Sequence, residues 1–185
     1  MASIIEAITA MLYNFVDDEP KPLLHVGETM SLWTAFTAFH EAHSLYEVGL
    51  NMTTDPELRH VIQRVLEGSQ ADSEMIAKFM ISEGIPLPLI NSKKPKSNPD
   101  AVPEGVKLTD DEIANLIAVK IAASITFCAQ SLSQSVRTDV GLMFFQIQVH
   151  LMKYAAPLKN IMKKRGWLRV PPKYNPPGNP NADSI

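Results

Sequence analysis

TDDEIANLIAVKIAASITFCAQSLSQSV, residues 109–136, is the stretch on which the reading of this chain turns. It opens with a capping box, Thr109-x-x-Glu112, and Asp110 and Asp111 also suit a helix N-terminus. Ala114, Ile117, Ile121, Ile125, Cys128 and Leu132 then recur at helical spacing, with Val119, Ala122 and Phe127 widening the stripe. This pattern predicts the most buried helix of the protein. Between Ile113 and Val136 the only charged residue is Lys120, and there is no carboxylate or histidine.

The flanks supply the rest of the architecture. Downstream, a short turn at residues 135–137 and a candidate cap at Thr138 lead into a stripe of Val140, Phe144, Ile147, Leu151, Tyr154, Leu158 and Ile161. Pro157 removes a backbone donor there and predicts a kink. Lys159, Lys163, Lys164 and Arg165 suit the negative end of the helix dipole, and Gly166 stops the helix. Upstream, residues 85–108 are punctuated by proline and too long for an ordinary turn. Before them, Asp55 caps a helix with Pro56 in its first position, an apolar face from Leu58 to Met80, and Gly84 and Pro86 at its end. A first long helix over 23–50 carries Leu32, Phe36, Phe39, His43, Tyr46 and Leu50. A short apolar-faced helix is expected over 3–16, with Ile4, Ile8, Met11 and Phe15 on one side.

A helix of about 27 residues is about 40 Å long, so a crossover needs on the order of 12 extended residues. The segment 85–108 is long enough. Short turns join the first pair and the second pair of helices, while a long link joins the pairs. The expected fold is therefore all-α: an up-down-down-up four-helix bundle with one crossover, the ferritin-like connectivity. One domain accounts for all 185 residues, with an N-terminal extension over 1–22, the bundle over 23–166 and a proline-rich extended tail over 167–185.

Composition narrows the function classes. A net charge of -3 provides no basic field for nucleic acid. No stretch offers the roughly 20 uninterrupted apolar residues of a typical span, so no membrane crossing is expected. The N-terminus lacks the basic n-region and cleavage pattern of a secretory signal, which points to cytoplasmic synthesis. A single cysteine, Cys128, excludes an intrachain disulfide.

Di-iron bundles of this topology take a Glu or a Glu-x-x-His pair from each helix. The third helix supplies neither, so no ferroxidase chemistry and no cofactor are expected. The richest constellation is on the first helix: His25, Glu28, His40, Glu41, His43 and Glu47. At 100° per residue His25 and His43 fall on the core stripe, with Glu28 and Glu47 at its margins. The simpler reading is a buried histidine satisfied by a neighbour, which makes His43 and Glu47 structural. The alternative is a metal or small-ligand site built from His25, Glu28, His43, Glu47 and Asp72. Asp72 lies inside the apolar face of the second helix and needs a partner. Helix lengths place it level with residues 33–36, too far along for a direct bond to His43. Glu57-x-x-His60 looks like half a metal motif, but His60 points to solvent. On the fourth helix, Gln146 and His150 sit at the stripe margin. Lys93, Lys94 and Lys96 read as a solvated patch.

LHVGETMSLWTAF (24–36), EGIPLP (83–88), VPEGVKLTDDEIANL (102–116) and KKRGWLRVPPKY (163–174) resemble a ferritin-like family of unknown function from bacilli, associated with spore coat protein F. The resemblance spans roughly 24–174. It implies a ferritin-like bundle, a link to sporulation with deposition on the spore surface, and no established catalytic residues. Domain duplication in that family implies a partner in the place of a second copy: this chain itself, as a homodimer, or a paralogous bundle, with other coat proteins as further partners. The resulting expectation is a non-enzymatic structural or assembly protein. The apolar face of 3–16 and the tail residues Trp167, Leu168, Val170 and Tyr174 are the surfaces expected to meet a neighbour.

Overall fold

The computed structural model describes residues 3, 6 and 21–174. Four helices carry the fold: α1 (Val26–Met52), α2 (Pro56–Ser82), α3 (Asp110–Gln134) and α4 (Thr138–Arg165). Among the described residues there is no strand; a 3-10 turn forms at Pro99–Ala101, and Glu6 is helical.

Local chemistry explains the helix ends. The Asp55 carboxylate accepts from the backbone N–H groups of Glu57 and Leu58, each at 2.9 Å. Thr109 and Glu112 form the expected capping box. Gly84 and Gly166 both take φ of 73°, the left-handed conformation that closes a helix without a Cβ penalty. At the start of α4 the expectation fails: Arg137, not Thr138, holds the N-cap position. The helix runs unbroken through Pro157.

Contacts between helix ends define the direction of each element. Thr53 and Thr54, after α1, bond Asp110 at the start of α3. Glu28 near the start of α1 bonds the turn between α3 and α4. Arg165 at the end of α4 reaches Asp55 before α2, at 2.8 Å. The order is up-down-down-up, with α1 packed on α2 and α3, and α4 packed on α3 and α2. Residues 83–109 return from one end of the bundle to the other along α1.

The core is shared unequally. α1, α2 and α4 each bury nine or ten residues, whereas α3 buries Ile113, Ala114, Ile117, Ile121, Cys128 and Ser131. The expectation that α3 is the most buried helix is corrected. Val119 is 68% exposed, Leu116 is 45% exposed and Ala122 faces outward. Both sides of this helix are apolar, so sequence periodicity could not say which side lay inside. By length and composition α3 also meets the requirements of a bilayer-crossing helix, which the sequence reading had discounted. Its packing against α1 and α4, with both ends bonded into the bundle, is compatible with no span.

The helix expected over 3–16 lies outside the described residues, apart from Ser3 and Glu6, which bond each other reciprocally. The start of the tail folds back on its own bundle. Trp167 and Leu168 donate to the Met162 carbonyl, and the Trp167 carbonyl accepts from Asn115. Val170 and Tyr174 remain exposed.

Candidate functional site

The polar side chains inside this bundle fall into three groups. The first closes the end where α1 begins. Glu28 is 3% exposed. Its Oε1 accepts from the backbone N–H of Val136 at 2.8 Å and of Arg137 at 2.7 Å, and its Oε2 accepts from His25 N–H at 3.1 Å. The Arg137 guanidinium makes two 2.8 Å bonds to Glu83 and further bonds to Asp139 at 2.7 and 3.0 Å. It also lies over the Phe79 ring. Burial alone would raise the Asp139 carboxyl, but bonding to Arg137 and Lys21 outweighs it and holds the group below its ordinary value. One knot thus ties α1, α2 and the α3–α4 turn.

The second group crosses the middle of the bundle. His43 Nε2 meets Ser69 Oγ at 3.0 Å. Burial, with smaller electrostatic contributions, keeps the imidazole below its usual value. Asp72 is 2% exposed, and its Oδ1 meets His150 Nδ1 at 2.7 Å. Its Oδ2 has no partner among the described residues. Burial pushes the Asp72 carboxyl up, against the pull of His150. Burial and the Asp72 charge together push the Cys128 thiol up to about 12, so it stays an unreactive core group. Tyr154 packs over Gly68, where any Cβ would overlap its hydroxyl.

The third group faces a cavity of about 400 Å³ between α1, α2 and the crossover. Phe36, His40 and His43 form one wall. Their ring centroids lie 4.4 Å apart for the first pair and 4.9 Å for the second. Glu47 and Glu74 stand beside them.

The five candidate ligands therefore do not converge. His25 does not lie on the core stripe, because the chain enters α1 there. Its Nδ1 accepts from Gly27 and Glu28 N–H as the N-cap. Glu28 holds the distant turn, Glu47 accepts from Lys94 N–H at 2.8 Å, His43 bonds Ser69 and Asp72 bonds His150. Among the described residues no three His, Cys, Asp or Glu side chains come together as a metal-holding group. His60 is exposed, as its wheel position predicts.

Two partners escaped the sequence reading. His43 stands opposite Ser69, so Asp72, three residues on, lies level with His40 rather than with residues 33–36. The difference is one to two turns. Helix bounds alone, with α1 ending at Met52 and α2 starting at Pro56, place Asp72 near Phe36, so the remaining offset is a slide of one helix along the other. His150 was noted at the stripe margin, but the α2–α4 register that pairs it with Asp72 has no local signal. Arg137 gave no signal, since nothing local distinguishes a loop arginine from a solvated one.

These features define an all-α bundle with ferritin-like topology and no assembled di-metal centre among its described residues. The chain belongs to DUF3231, a family of proteins of unknown function whose pattern matches residues 15–179. It is 27% identical over 155 residues to the uncharacterized protein YvdQ of Bacillus subtilis, covering 84% of this chain and 89% of that protein. A crystal structure from Bacillus halodurans, described as a "putative spore coat protein", is 28% identical with a TM-score of 0.81, covering 84% of this chain and 98% of that one. A two-domain Anabaena variabilis protein, with DJ-1/ThiJ/PfpI-like and ferritin-like domains, matches at 15% identity and a TM-score of 0.61. That match covers 92% of this chain and 52% of the other, and it bears on the fold alone.

Proposed function

We propose that this protein is a non-enzymatic structural component, of a spore-coat-like kind, that assembles through the outer face of α3. The carrying observation is that face itself. Only 28% of the most apolar stretch of α3 is buried, although Lys120 is its sole charge past the first turn. Two apolar grooves flank it. Ala38, Phe39, Ala123 and Phe127 line one, and Ala118, Ala122, Ile125 and Leu168 line the other. The exposed apolar positions of this face, Leu116, Val119, Ala122 and Ala123, span about 10 Å of the helix, and the two grooves widen the patch on either side. A contiguous exposed apolar patch favours association.

The face suits a second copy. In an antiparallel two-fold pairing centred between Ala122 and Ala123, Val119 of one copy meets Thr126 of the other and Leu116 meets Ala129. Bulky side chains then oppose small ones, as an isologous interface requires. A paralogous bundle would use the same surface, and other coat proteins would then meet the rest of the particle. The description of the Bacillus halodurans neighbour is consistent with this setting.

The test is localisation of a fluorescently tagged full chain in sporulating Bacillus subtilis. A ring at the spore surface is expected, and Val119→Glu should leave the tag diffuse. Diffuse wild-type signal throughout sporulation would contradict the proposal. Metal analysis of the purified protein tests the other class, since stoichiometric iron, manganese or zinc would support a metal-holding bundle instead.

A further inference from the structure

The cavity beside His40 and His43 is about as open as the grooves beside α3, but it is bounded on one side by loop rather than helix. Its roof is the crossover, and the roof is fastened to α1 alone. Asn91 donates to Glu41 at 3.2 Å, Lys94 N–H to Glu47 at 2.8 Å, and Ser97 N–H to Asn51 at 2.9 Å, while Asn51 donates to the Pro95 carbonyl at 3.0 Å. Among the described residues, 87–98 make no hydrogen bond to α2. The crossover therefore stands off α2 and leaves a space of about 400 Å³. That volume is in the range of small-molecule pockets.

The lining has a definite chemistry. Phe36, His40 and His43 present an aromatic wall. Among the described residues His40 makes ring contacts but no hydrogen bond, and the Glu74 carboxylate has no partner. Glu47 adds a second carboxylate from the facing helix. Burial holds both imidazoles below their ordinary value, so they are neutral at pH 7. Among the described lining residues Lys93 is the one cation, on the exposed rim. Carboxylates thus outnumber cations in the lining, next to the aromatic wall.

We propose that this cavity binds a small organic cation, an ammonium carried on an aromatic body. The ring lies against His40, backed by the buried Phe36 and His43, and the ammonium meets Glu74. The carboxylate favours a cation and disfavours an anion of the same shape, while the aromatic side takes the ring by stacking. The site is independent of the outer face of α3, so the two proposals stand or fall separately.

Isothermal titration of the full chain with phenethylamine, 2-phenylethanol and phenylacetate tests this. The three probes share a ring and differ in charge. Saturable binding of the amine is expected, with at least tenfold weaker binding of the other two. Glu74→Gln should weaken the amine about tenfold while leaving the thermal transition unchanged, because Glu74 is exposed and unpartnered. Phenylacetate binding as well as phenethylamine, no binding of the amine, or full affinity in Glu74→Gln would each overturn the proposal.

Discussion

Replacing Glu28 should destabilise this bundle more than any other single carboxylate change. In Glu28→Ala three backbone donors lose their acceptor: His25, Val136 and Arg137. The Arg137 N–H is buried, and the Val136 and His25 N–H groups are partly buried. Hydrogen bonds to a charged group contribute about 1.5–3 kcal/mol each, and a buried donor left unmade costs about 1–3 kcal/mol. Partial rehydration of the two outer donors brings the expected total to about 3–5 kcal/mol. Against a typical domain stability of about 5–15 kcal/mol this is a large fraction. At roughly 2–4 °C per kcal/mol, the melting temperature should fall by about 10 °C. Glu28→Gln is the informative partner, since its carbonyl can still serve both turn donors. It loses the charge and the His25 contact, for about 1 kcal/mol. Urea unfolding at neutral pH, followed by far-UV circular dichroism, measures both. An alanine variant within about 1 kcal/mol of wild type would refute the reasoning, as would a glutamine variant as unstable as the alanine one.

Further perturbations probe the middle of the bundle. Burial raises the Asp72 carboxyl, so the native state holds its proton more tightly than the unfolded chain does. That contribution to stability therefore grows as pH falls from the raised value toward about 4, and the stability difference between wild type and Asp72→Asn should shift in favour of wild type. A shift the other way would refute the burial argument. His43 behaves oppositely: burial lowers it, the unfolded chain binds the proton better, and stability should be lost as pH falls below about 6.5. His43→Gln should flatten that slope in pH-dependent denaturation, and an unchanged slope would count against it. Gly68→Ala should cost about 1–3 kcal/mol by displacing the Tyr154 ring, and Tyr154→Ala in the same chain should remove most of that penalty in a double-mutant cycle.

The bundle was legible in the sequence because its punctuation is local. Asp55-Pro56, Thr109-x-x-Glu112, Gly84 and Gly166 each carry their own signal, and the long proline-rich crossover implies the topology. What sequence could not supply was register and facing. Asp72 required a partner on physical grounds, but choosing His150 over a neighbour on α1 depends on how two non-adjacent helices slide. His25 looked like a core residue on a helical wheel, yet the helix begins one residue later, and its ring caps the helix. The α3 error has the same root. Over residues 113–125 apolar residues occupy both sides of the helix, so periodicity points Val119 and Ala122 inward although they face out. The tie from Glu28 to the α3–α4 turn is illegible because its two sides lie 109 positions apart in the chain, as in the bond from Arg137 N–H to Glu28.

The central claim is that the outer face of α3 holds two copies together. Sedimentation equilibrium of the full 20.5 kDa chain, across low to high micromolar concentration, measures it most directly. The account predicts a monomer–dimer equilibrium for wild type and a monomer for Val119→Glu, with unchanged helical content. A wild-type chain that stays monomeric at high micromolar concentration, or a Val119→Glu chain that still dimerises, would contradict it.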